Sequence, residues 1–406
     1  MFFSDRNVAS LGVKQALVQS IEKLRRWLAS ELGRVILIAL VSRLIVFVSA
    51  IVGQFILGPA KTNDLGVINI PIVSLFSQWD SYWYATIALF GYPPGNNPIS
   101  MNWAFFPLYP ISMRVFGELS FGTLTPLQSV VASGFLMNNV LFFVSLFLFY
   151  KVTKSVLGST KIALVSTVFF AFWPGSLFFS SVYSESLFMV LTLGAFYLLE
   201  REKGNEATLV GFFACLARSN GFLIFIPFFY KGLQERKYLR AILQSVVLVL
   251  PYLLFNFYGY FLTGVFPVRE IVYDHNWSSS RISLSDLAGV WGGYTLLYSV
   301  EAVLVLIPFF WFLLTEKTPI KDFITASNGE RKDLKYWAFS VYLILTVLFY
   351  SDPKNIHRYV IPMLPLYWVF ALIWSKNNKV GKILLCVLTA LLVIGTILFT
   401  TGRLYL

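Results

Sequence analysis

The sequence predicts an all-α protein that crosses a membrane several times. Of its 406 residues, 57% are hydrophobic and only 13% are charged, whereas soluble domains carry roughly a quarter charged residues. Apolar runs recur from residue 35 onward, and several reach the ~20 residues that a helix needs to cross a bilayer. A lipid-embedded segment has to satisfy its own backbone hydrogen bonds, so this pattern favours helices.

We expect about nine full transmembrane helices and one interrupted segment in a single integral membrane domain, 1–406. The interrupted segment covers 207–230, where "ARSNG" divides an apolar run that has basic residues close on both sides. We interpret it as a broken, re-entrant helix pair, which is tolerable only where protein or a cavity covers its irregular backbone. The predicted spans are 35–57, 127–150, 162–181, 185–200, 240–262, 294–315, 336–350, 359–375 and 382–401.

The distribution of basic residues predicts the orientation of these helices. Most of the 32 lysines and arginines fall in segments of one side, and cytoplasmic loops are the ones that collect them. The N-terminus is therefore expected in the cytoplasm, with 1–34 forming an amphipathic helix on the membrane surface. This excess of basic residues on the cytoplasmic side also explains the net charge of +12. We therefore expect the lipid bilayer as a partner, and no nucleic acid.

The segment 58–126, here called the first outer loop, is long and apolar for a connection. Within it, 72–90 and 103–116 are expected to form short helices at the membrane interface, and aromatic side chains are typical of that position. Asp80 is the one acidic residue of "FSQWDSYWYATIALFGY". The aromatic side chains expected to anchor the loop or line a sugar site are Trp79, Tyr82, Trp83, Tyr84, Trp103 and Phe106.

Asp80 has two possible roles. An Asp at a loop–helix junction commonly caps the helix. Alternatively, partial desolvation by the surrounding aromatic rings would favour a general base, and no basic residue lies close in sequence to neutralise the carboxylate.

Other polar residues fall at membrane depth or at its outer edge. Arg218 to Asn220 interrupt the broken pair, and an Arg at membrane depth usually faces a partner or a polar cavity. Glu185 is expected at a helix start, where a carboxylate also suits the helix dipole. His357 and Arg358 are expected at another outer helix end, either as ordinary interfacial residues or as ligands.

Together these residues suit transfer of a group from a lipid phosphate. A carboxylate would remove a proton from the incoming hydroxyl, while cationic side chains would stabilise charge on the departing phosphate. The chain has two histidines and no carboxylate pair with ligand spacing, so no metal site and no metal cofactor are expected. It also has no glycine-rich phosphate loop, which argues against a soluble nucleotide donor.

Four separated blocks of the sequence, in this order, resemble the PIG-V family, the second mannosyltransferases of GPI-anchor assembly and their prokaryotic relatives. The blocks are "QWDSYWYATIALFGY" with "WAFFPLYPISMR", "FFSSVYSESLFMVLTLGAFYLLE", "LARSNGFL" and "HRYVIPMLPLYW". The resemblance implies a GT-C glycosyltransferase fold with its active site at the outer or lumenal face. It also implies inversion at the sugar and a polyprenyl-phosphate (dolichyl-phosphate-type) mannose donor.

The resemblance also implies roles for individual residues. The family's acidic residue of the first outer loop falls on Asp80, as base. The family's Tyr-Ser-Glu block falls on Tyr183 to Glu185, and its Arg-Ser-Asn block falls on Arg218 to Asn220. Together with His357 and Arg358, the residues expected to bind donor phosphate or sugar are Tyr183, Glu185, Arg218 and Asn220.

The outer loops after 262 and around 352 look shorter than in eukaryotic members. A prokaryotic or archaeal relative is therefore expected, in the plasma membrane, acting on a glycolipid or lipid-linked glycan; a eukaryotic protein would lie in the endoplasmic reticulum. Two alternatives remain open at this stage: a lipid-linked sugar flippase, for which matching repeated halves are expected, and a transferase of another polyprenyl-phosphate sugar.

Overall fold

The computed structural model describes most of the chain, and the described part is helical. The described residues are 19–20, 22–23, 25–58, 70–95, 100–120, 124–277, 303–306, 334–350 and 356–403. Within these ranges the regular elements are α-helices and short 3-10 helices, without any strand. The all-α prediction is therefore confirmed for the described residues.

The helices are numbered here in chain order. The α-helices are α1 Glu31–Leu57, α2 Pro71–Leu75, α3 Ser81–Phe90, α4 Leu108–Ser120, α5 Pro126–Leu157, α6 Thr160–Ala171, α7 Glu185–Glu200, α8 Gly204–Ala217, α9 Phe225–Gln234, α10 Tyr238–Thr263, α11 Val268–Trp277, α12 Leu334–Tyr350, α13 Ile356–Tyr359, α14 Leu364–Lys376 and α15 Asn378–Thr400. The 3-10 helices are Met101–Ala104, Pro174–Phe179 and Ser219–Ile224.

Four described helices, α1, α5, α10 and α15, are long and apolar enough to cross a membrane. Each coincides with a predicted span, and the chain is a multi-pass integral membrane protein. Local sequence explains where they begin and end. For example, α5 starts at a capping box formed by Thr125 and Gln128 and ends at Gly158, whose φ of 68° lies in the left-handed region.

Two predicted continuous spans are interrupted by proline, so their predicted bounds are wrong. In 162–181, α6 ends at Ala171, and Pro174 begins a 3-10 helix. In 359–375, α13 ends at Tyr359, and α14 begins only after Pro362. Proline lacks the backbone donor and disfavours helical geometry in the residue before it, which explains both breaks.

The prediction of one interfacial helix over 72–90 is also wrong. Helix α2 ends at Leu75 and α3 begins at Ser81, with Trp79 between them at a φ of 52°. A non-glycine residue in this left-handed region cannot continue a right-handed helix and costs about 1–2 kcal/mol. The second predicted helix, 103–116, is likewise a 3-10 helix followed by α4.

Some sequence predictions fall largely outside the described residues. The predicted span 294–315 is described only at 303–306, which is helical. Of the predicted N-terminal amphipathic helix within 1–34, the described residues are 19–20, 22–23 and 25–34.

The interrupted segment has its break at Arg218. Helix α8 ends at Ala217, Arg218 has extended backbone with φ −150° and ψ 149°, and the 3-10 helix and α9 follow. Gly221 allows this chain reversal to stay close-packed, because a Cβ there would lie 2.5 Å from the Cα of Cys215. The break directs the Arg218 side chain away from a regular helix face; the re-entrant course across the membrane remains a prediction.

Three clusters of buried side chains hold the described helices together. The largest lies among α5, α6, α7 and α14, and a second, containing Phe76, Tyr84 and Tyr183, packs the first outer loop against α5 and the 174–184 segment. The third joins Trp103 and Phe106 of the first outer loop to α10 and α11. The described residues of the first outer loop are therefore a packed part of the structure.

Arg43, which sequence places at membrane depth, joins α1 to the 174–180 segment. Its guanidinium donates to the Ser176 carbonyl and to Ser180 Oγ, each at 2.9 Å. It also contacts Ser176 Oγ and lies 3.9 Å from the centroid of the Phe142 ring. Arg43 therefore fixes the segment that leads directly into Tyr183 and Glu185.

Candidate active site

The first outer loop is attached to the segment before α7 by backbone and hydroxyl groups. The Val182 N–H donates to the Phe76 carbonyl at 2.9 Å, and the Asp80 N–H donates to Tyr183 Oη at 3.2 Å. Tyr183 Oη is also within 3.3 Å of the Gln78 carbonyl, to which it donates. These contacts hold the backbone of Asp80 directly above the start of α7.

Asn138, on α5, holds the same segment from the other side. Its side-chain amide donates to the Tyr183 carbonyl at 2.7 Å and contacts the Ser181 carbonyl. The Tyr84 and Ser184 hydroxyls are 2.8 Å apart in a further hydrogen bond. Sequence reasoning missed Asn138; the available signal was an amide side chain in the middle of an otherwise apolar span.

Asp80 occupies the N-cap position of α3, but its side chain makes no capping hydrogen bond. Its Oδ2 instead accepts from Arg358 Nη1 at 2.6 Å. These two residues are 278 positions apart in the chain, so the contact depends on the tertiary fold. The capping interpretation of Asp80 therefore does not account for its side chain.

Glu185 joins this pair into a network of four charged groups. Its Oε1 contacts both Arg358 Nε and Arg218 Nη1. The side chains of Glu185 and Arg358 are 3% and 6% exposed, and those of Arg218 and Asp80 are 12% and 20% exposed. We call Asp80, Glu185, Arg218 and Arg358 the ion network; Asp80 is its most accessible member.

Arg358 lies at the centre of the ion network. Its guanidinium is 4.5 Å from the centroid of the Tyr183 ring and 5.3 Å from that of Phe178. Burial alone would lower the pKa of Arg358, but the carboxylates of Glu185 and Asp80 outweigh it and raise that pKa well above its ordinary value. Arg358 is therefore a permanent cation with two carboxylates as partners.

Asn220 and Arg218 line a narrow cleft beside the ion network. Glu185 and Arg358 form its polar wall, and its apolar lining residues are Phe188, Met189, Ile361 and Pro362, with Tyr359 at the side. The residues predicted from three separate blocks of sequence are thus brought to one place. The cleft holds only about 10 Å³ of open volume in this conformation, so a phosphate would have to widen it. Guanidinium groups on a mainly apolar wall are the groups that a phosphate attached to an apolar chain requires.

His357 is placed differently from its neighbour Arg358. Its ring is buried and stacks on Phe178, with centroids 5.6 Å apart. Its backbone carbonyl accepts from Trp173 Nε1 at 2.6 Å. The contacts described for His357 serve to anchor α13, so its predicted role in phosphate binding gains no support from this position.

The predicted aromatic residues divide into two groups. Tyr84, Trp103 and Phe106 are almost fully buried in the cores below the first outer loop, and burial raises the pKa of the Tyr84 hydroxyl to about 12. Trp79, Tyr82 and Trp83 are partly exposed. In this conformation only the second group is accessible enough to contact a sugar, and Tyr183 is fully buried beneath Arg358.

No three His, Cys, Asp or Glu side chains come together as a possible metal site within the described ranges. The four groups of the ion network comprise two cations and two carboxylates, and each carboxylate already contacts a guanidinium. Independence from metal remains a prediction, to be tested with a chelator.

Gly175 should be necessary for the position of Arg358. A Cβ at residue 175 would lie 2.2 Å from the His357 carbonyl oxygen, so Gly175→Ala must displace α13 or the Pro174–Phe179 helix. We expect a loss of stability of about 1–3 kcal/mol and a shift of Arg358 relative to Asp80. Thermal unfolding in detergent measures the first effect. Gly194→Ala is the control, because its Cβ would meet only Val210 Cγ1 at 3.5 Å; equal behaviour of the two variants would contradict this packing argument.

Comparison with known proteins agrees with the resemblance seen in the sequence. The family model "Mannosyltransferase (PIG-V)" matches residues 67–300, which is more than half of the chain. The human GPI alpha-1,6-mannosyltransferase 2 is 29% identical over 207 residues, covering 45% of this chain and 40% of that protein. GPI mannosyltransferase pigv-1 of Caenorhabditis elegans is 32% identical over 121 residues, covering 27% and 18%.

These matches span less than half the length of the relatives. Among solved structures, the Archaeoglobus fulgidus oligosaccharyltransferase tethered with an acceptor peptide is similar with a TM-score of 0.48 and 12% identity, covering 93% of this chain and 56% of that one. The same enzyme in complex with Zn and sulfate gives a TM-score of 0.44 and 14% identity, covering 88% and 52%. TM-scores this low do not establish a shared fold, so the GT-C architecture remains a prediction. The family match covers the first outer loop from residue 67 onward, the start of α7 and the break at Arg218, while Arg358 lies outside it. Because the match covers more than half of the chain, the chain belongs to the mannosyltransferase (PIG-V) family.

Proposed function

We propose that this protein transfers mannose from a polyprenyl-phosphate donor to a hydroxyl of a glycolipid or lipid-linked glycan, with inversion at the sugar. The reaction would take place at the outer or lumenal membrane face, in a GT-C-type architecture. One observation carries the proposal: a partly exposed carboxylate, Asp80, contacts Arg358 within a buried network that also contains Arg218. Family membership supports mannose as the sugar.

The proposed reaction has a defined course for each bond. Asp80 takes the proton of the acceptor hydroxyl, and the hydroxyl oxygen attacks the anomeric carbon from the face opposite the phosphate. The bond from that carbon to the phosphate oxygen breaks, and its electron pair leaves with the polyprenyl phosphate. Arg358 and Arg218 stabilise the negative charge that develops on the phosphate.

Charge balance favours this assignment of roles. With Asp80 and Glu185 ionised, the ion network is neutral in the described state. A bound phosphodiester adds one negative charge, and the departing monoester adds a second as the glycosidic bond breaks. The proton gained by Asp80 offsets the second charge at the same stage, so the site avoids accumulating charge during transfer.

The donor also has to separate two residues that contact each other. Arg358 Nη1 and Asp80 Oδ2 are 2.6 Å apart, which leaves no space for a sugar between base and phosphate. We therefore infer that the phosphate replaces Asp80 as a partner of Arg358 when the donor binds. Glu185 would keep its contact with Arg358 and hold the guanidinium in place.

The decisive experiment is a transfer assay on purified protein in nanodiscs. Polyprenyl-phospho-[³H]mannose is supplied with a membrane-lipid extract as acceptor and EDTA present, and polyprenyl-phosphoglucose is run in parallel. Label that enters a new glycolipid from the mannose donor supports the proposal. Transfer from the glucose donor alone would show that the protein transfers glucose and not mannose.

The same preparation tests the main rival. Labelled donor that crosses a vesicle bilayer without forming product would indicate a flippase and contradict the transferase proposal. Transfer that disappears with EDTA and returns with a divalent cation would contradict the proposed metal independence while leaving the transferase role in place.

A further inference from the structure

A second charged pair lies beside the ion network. Helix α11 packs against the first outer loop and α10 through Trp103, Phe255 and Val268. This close packing requires Gly259 on α10, since a Cβ there would lie 2.2 Å from Val268 Cγ1. The result is that the first turn of α11, which carries Arg269 and Glu270, is held over the break after α8. We call Arg269 and Glu270 the α11 pair.

A hydrogen bond connects the α11 pair to the chain break that carries Arg218. Arg269 Nη2 donates to Ser219 Oγ at 3.1 Å, and Ser219 follows Arg218 of the ion network in the chain. The backbone N–H of Arg269 donates to Asn256 Oδ1 on α10 at 3.1 Å, which fixes the start of α11. The α11 pair is therefore fixed to the residue that follows Arg218 at the chain break.

Both members of the α11 pair keep a buried polar atom available. Glu270 Oε1 contacts Tyr252 Oη and lies 3.4 Å from Arg269 Nη1. Glu270 Oε2 and Arg269 Nε are buried atoms without a hydrogen-bond partner among the residues that the structure describes. Buried polar groups are almost always paired in native proteins, so two unpaired atoms on adjacent residues point to a missing ligand.

Other atoms of the two side chains reach the surface, since the side chain of Arg269 is 20% exposed and that of Glu270 is 32% exposed. A ligand that reaches Glu270 Oε2 and Arg269 Nε has to displace the atoms that now cover them. The surroundings are aromatic. The Tyr252 ring lies 5.3 Å from that of Phe222 and 6.1 Å from that of Phe106, and the Arg269 guanidinium is 4.7 Å from the Tyr273 ring.

The chemistry of the α11 pair selects among ligand classes. A carboxylate oxygen accepts a hydrogen bond and a guanidinium N–H donates one, so together they satisfy hydroxyl groups, which do both. The Glu270 carboxylate would repel a phosphate, and a single carboxylate is a poor site for a hard cation, which takes several oxygen ligands. Aromatic rings beside such a pair offer an apolar surface to a sugar ring.

We propose that the α11 pair is a sugar-hydroxyl subsite, which holds a pyranose ring next to the phosphate-binding cleft. This inference rests on the proposed transferase function. The sugar is either the mannose of the donor or a sugar of the acceptor, since both carry the same hydroxyl chemistry and both have to meet at Asp80. Glu270 accepts from a hydroxyl through Oε2, and Arg269 donates through Nε.

The test compares two lipids that share the polyprenyl chain and the phosphate group, of which only one carries a sugar; the phosphate is a diester in polyprenyl phosphomannose and a monoester in polyprenyl phosphate. Polyprenyl phosphomannose and polyprenyl phosphate are titrated against purified protein in nanodiscs, for wild type, Glu270→Gln and Arg269→Lys. Both substitutions are conservative in size. Arg269→Lys retains the charge but removes the Nε donor. Glu118→Gln is the matched control, because Glu118 forms an exposed ion pair with Arg114 on the surface of α4.

If the subsite holds the donor mannose, both variants lose about 10- to 100-fold in affinity for polyprenyl phosphomannose. Their affinity for polyprenyl phosphate stays within about twofold of wild type. If the subsite holds the acceptor, binding of both lipids is unchanged, and the concentration of acceptor extract that gives half-maximal transfer rises about tenfold or more. Either result supports the subsite and identifies its sugar.

Three results would overturn the inference. Variants that behave like wild type in lipid binding and in acceptor dependence would show that the pair contacts no sugar. Equal weakening of both lipids would assign the pair to phosphate binding or to folding. Failure of the wild-type protein to bind or use polyprenyl phosphomannose would contradict the proposed function itself. The wild-type titration alone shows this outcome, so it can be told apart from the other two.

Discussion

Asp80→Asn is expected to lower the turnover number for mannose transfer by about 10²- to 10⁴-fold, the usual contribution of a general base. Asparagine keeps the size of the side chain and, through its carbonyl oxygen, retains an acceptor for Arg358. It cannot take a proton from the acceptor hydroxyl. The loss should therefore fall on turnover and not on the amount of folded protein, which thermal unfolding and size-exclusion profiles in detergent measure.

Glu118→Gln controls for the removal of one negative charge from the first outer loop, because Glu118 pairs with Arg114 at the exposed surface. This control should retain wild-type turnover. Near-normal turnover of Asp80→Asn would exclude Asp80 as the base, and it would direct attention to the remaining carboxylates of the described site, Glu185 and Glu270.

Glu185→Gln is expected to cost both stability and activity. Its carboxylate is 3% exposed and contacts Arg218 and Arg358, so the substitution leaves two guanidinium groups with one carboxylate between them. Breaking one side of a buried ion pair typically costs about 3–5 kcal/mol. We expect a lower unfolding temperature in detergent and loss of transfer, since neither arginine would keep its position.

A double variant separates the two effects of Glu185. Glu185→Gln with Arg218→Gln removes one charge of each sign, so it should regain part of the stability while transfer remains lost. A double variant that is less stable than Glu185→Gln by the full effect of Arg218→Gln would show that the two residues do not interact, contrary to the described contact.

Much of the fold follows from the sequence because the signals for membrane helices are strong. The spans α1, α5, α10 and α15 are predicted to within a few residues apart from the C-terminal end of α5, since long apolar runs have few alternatives in a bilayer. The breaks at Pro174 and Pro362 were accessible from local sequence, but the apolar runs continue across both prolines and conceal them.

Other features depend on contacts that no local pattern reveals. The left-handed conformation of Trp79 divides α2 from α3, and it places Asp80 where Tyr183 and Arg358 can reach it. Neither partner is near Asp80 in sequence. A non-glycine residue with such a φ is uncommon and tends to occur at functional sites. The local sequence "SQWDS" does not predict this backbone conformation.

The candidate site was predictable in its membership but not in its pairing. The family resemblance implies Asp80, Glu185, Arg218 and Arg358, whereas only the folded chain shows that Glu185 contacts both arginines. His357 directly precedes Arg358, but its ring stacks on Phe178, so its role in phosphate binding stays a prediction. Arg269 and Glu270 were missed because their segment shows no distinctive motif.

The most direct test of the account separates phosphate binding from chemistry at Asp80. Affinity for polyprenyl phosphate is measured by titration in nanodiscs for wild type and Asp80→Asn, alongside transfer. Because Asp80 competes with the phosphate for Arg358 in the proposed cycle, removing its charge should tighten polyprenyl phosphate binding, by about tenfold if the contact is worth ~1.4 kcal/mol, while transfer is lost. Weaker binding of polyprenyl phosphate together with lost transfer would contradict the account. Asp80 would then help to bind the phosphate, whereas the account has Asp80 release Arg358 to the phosphate and act as the base.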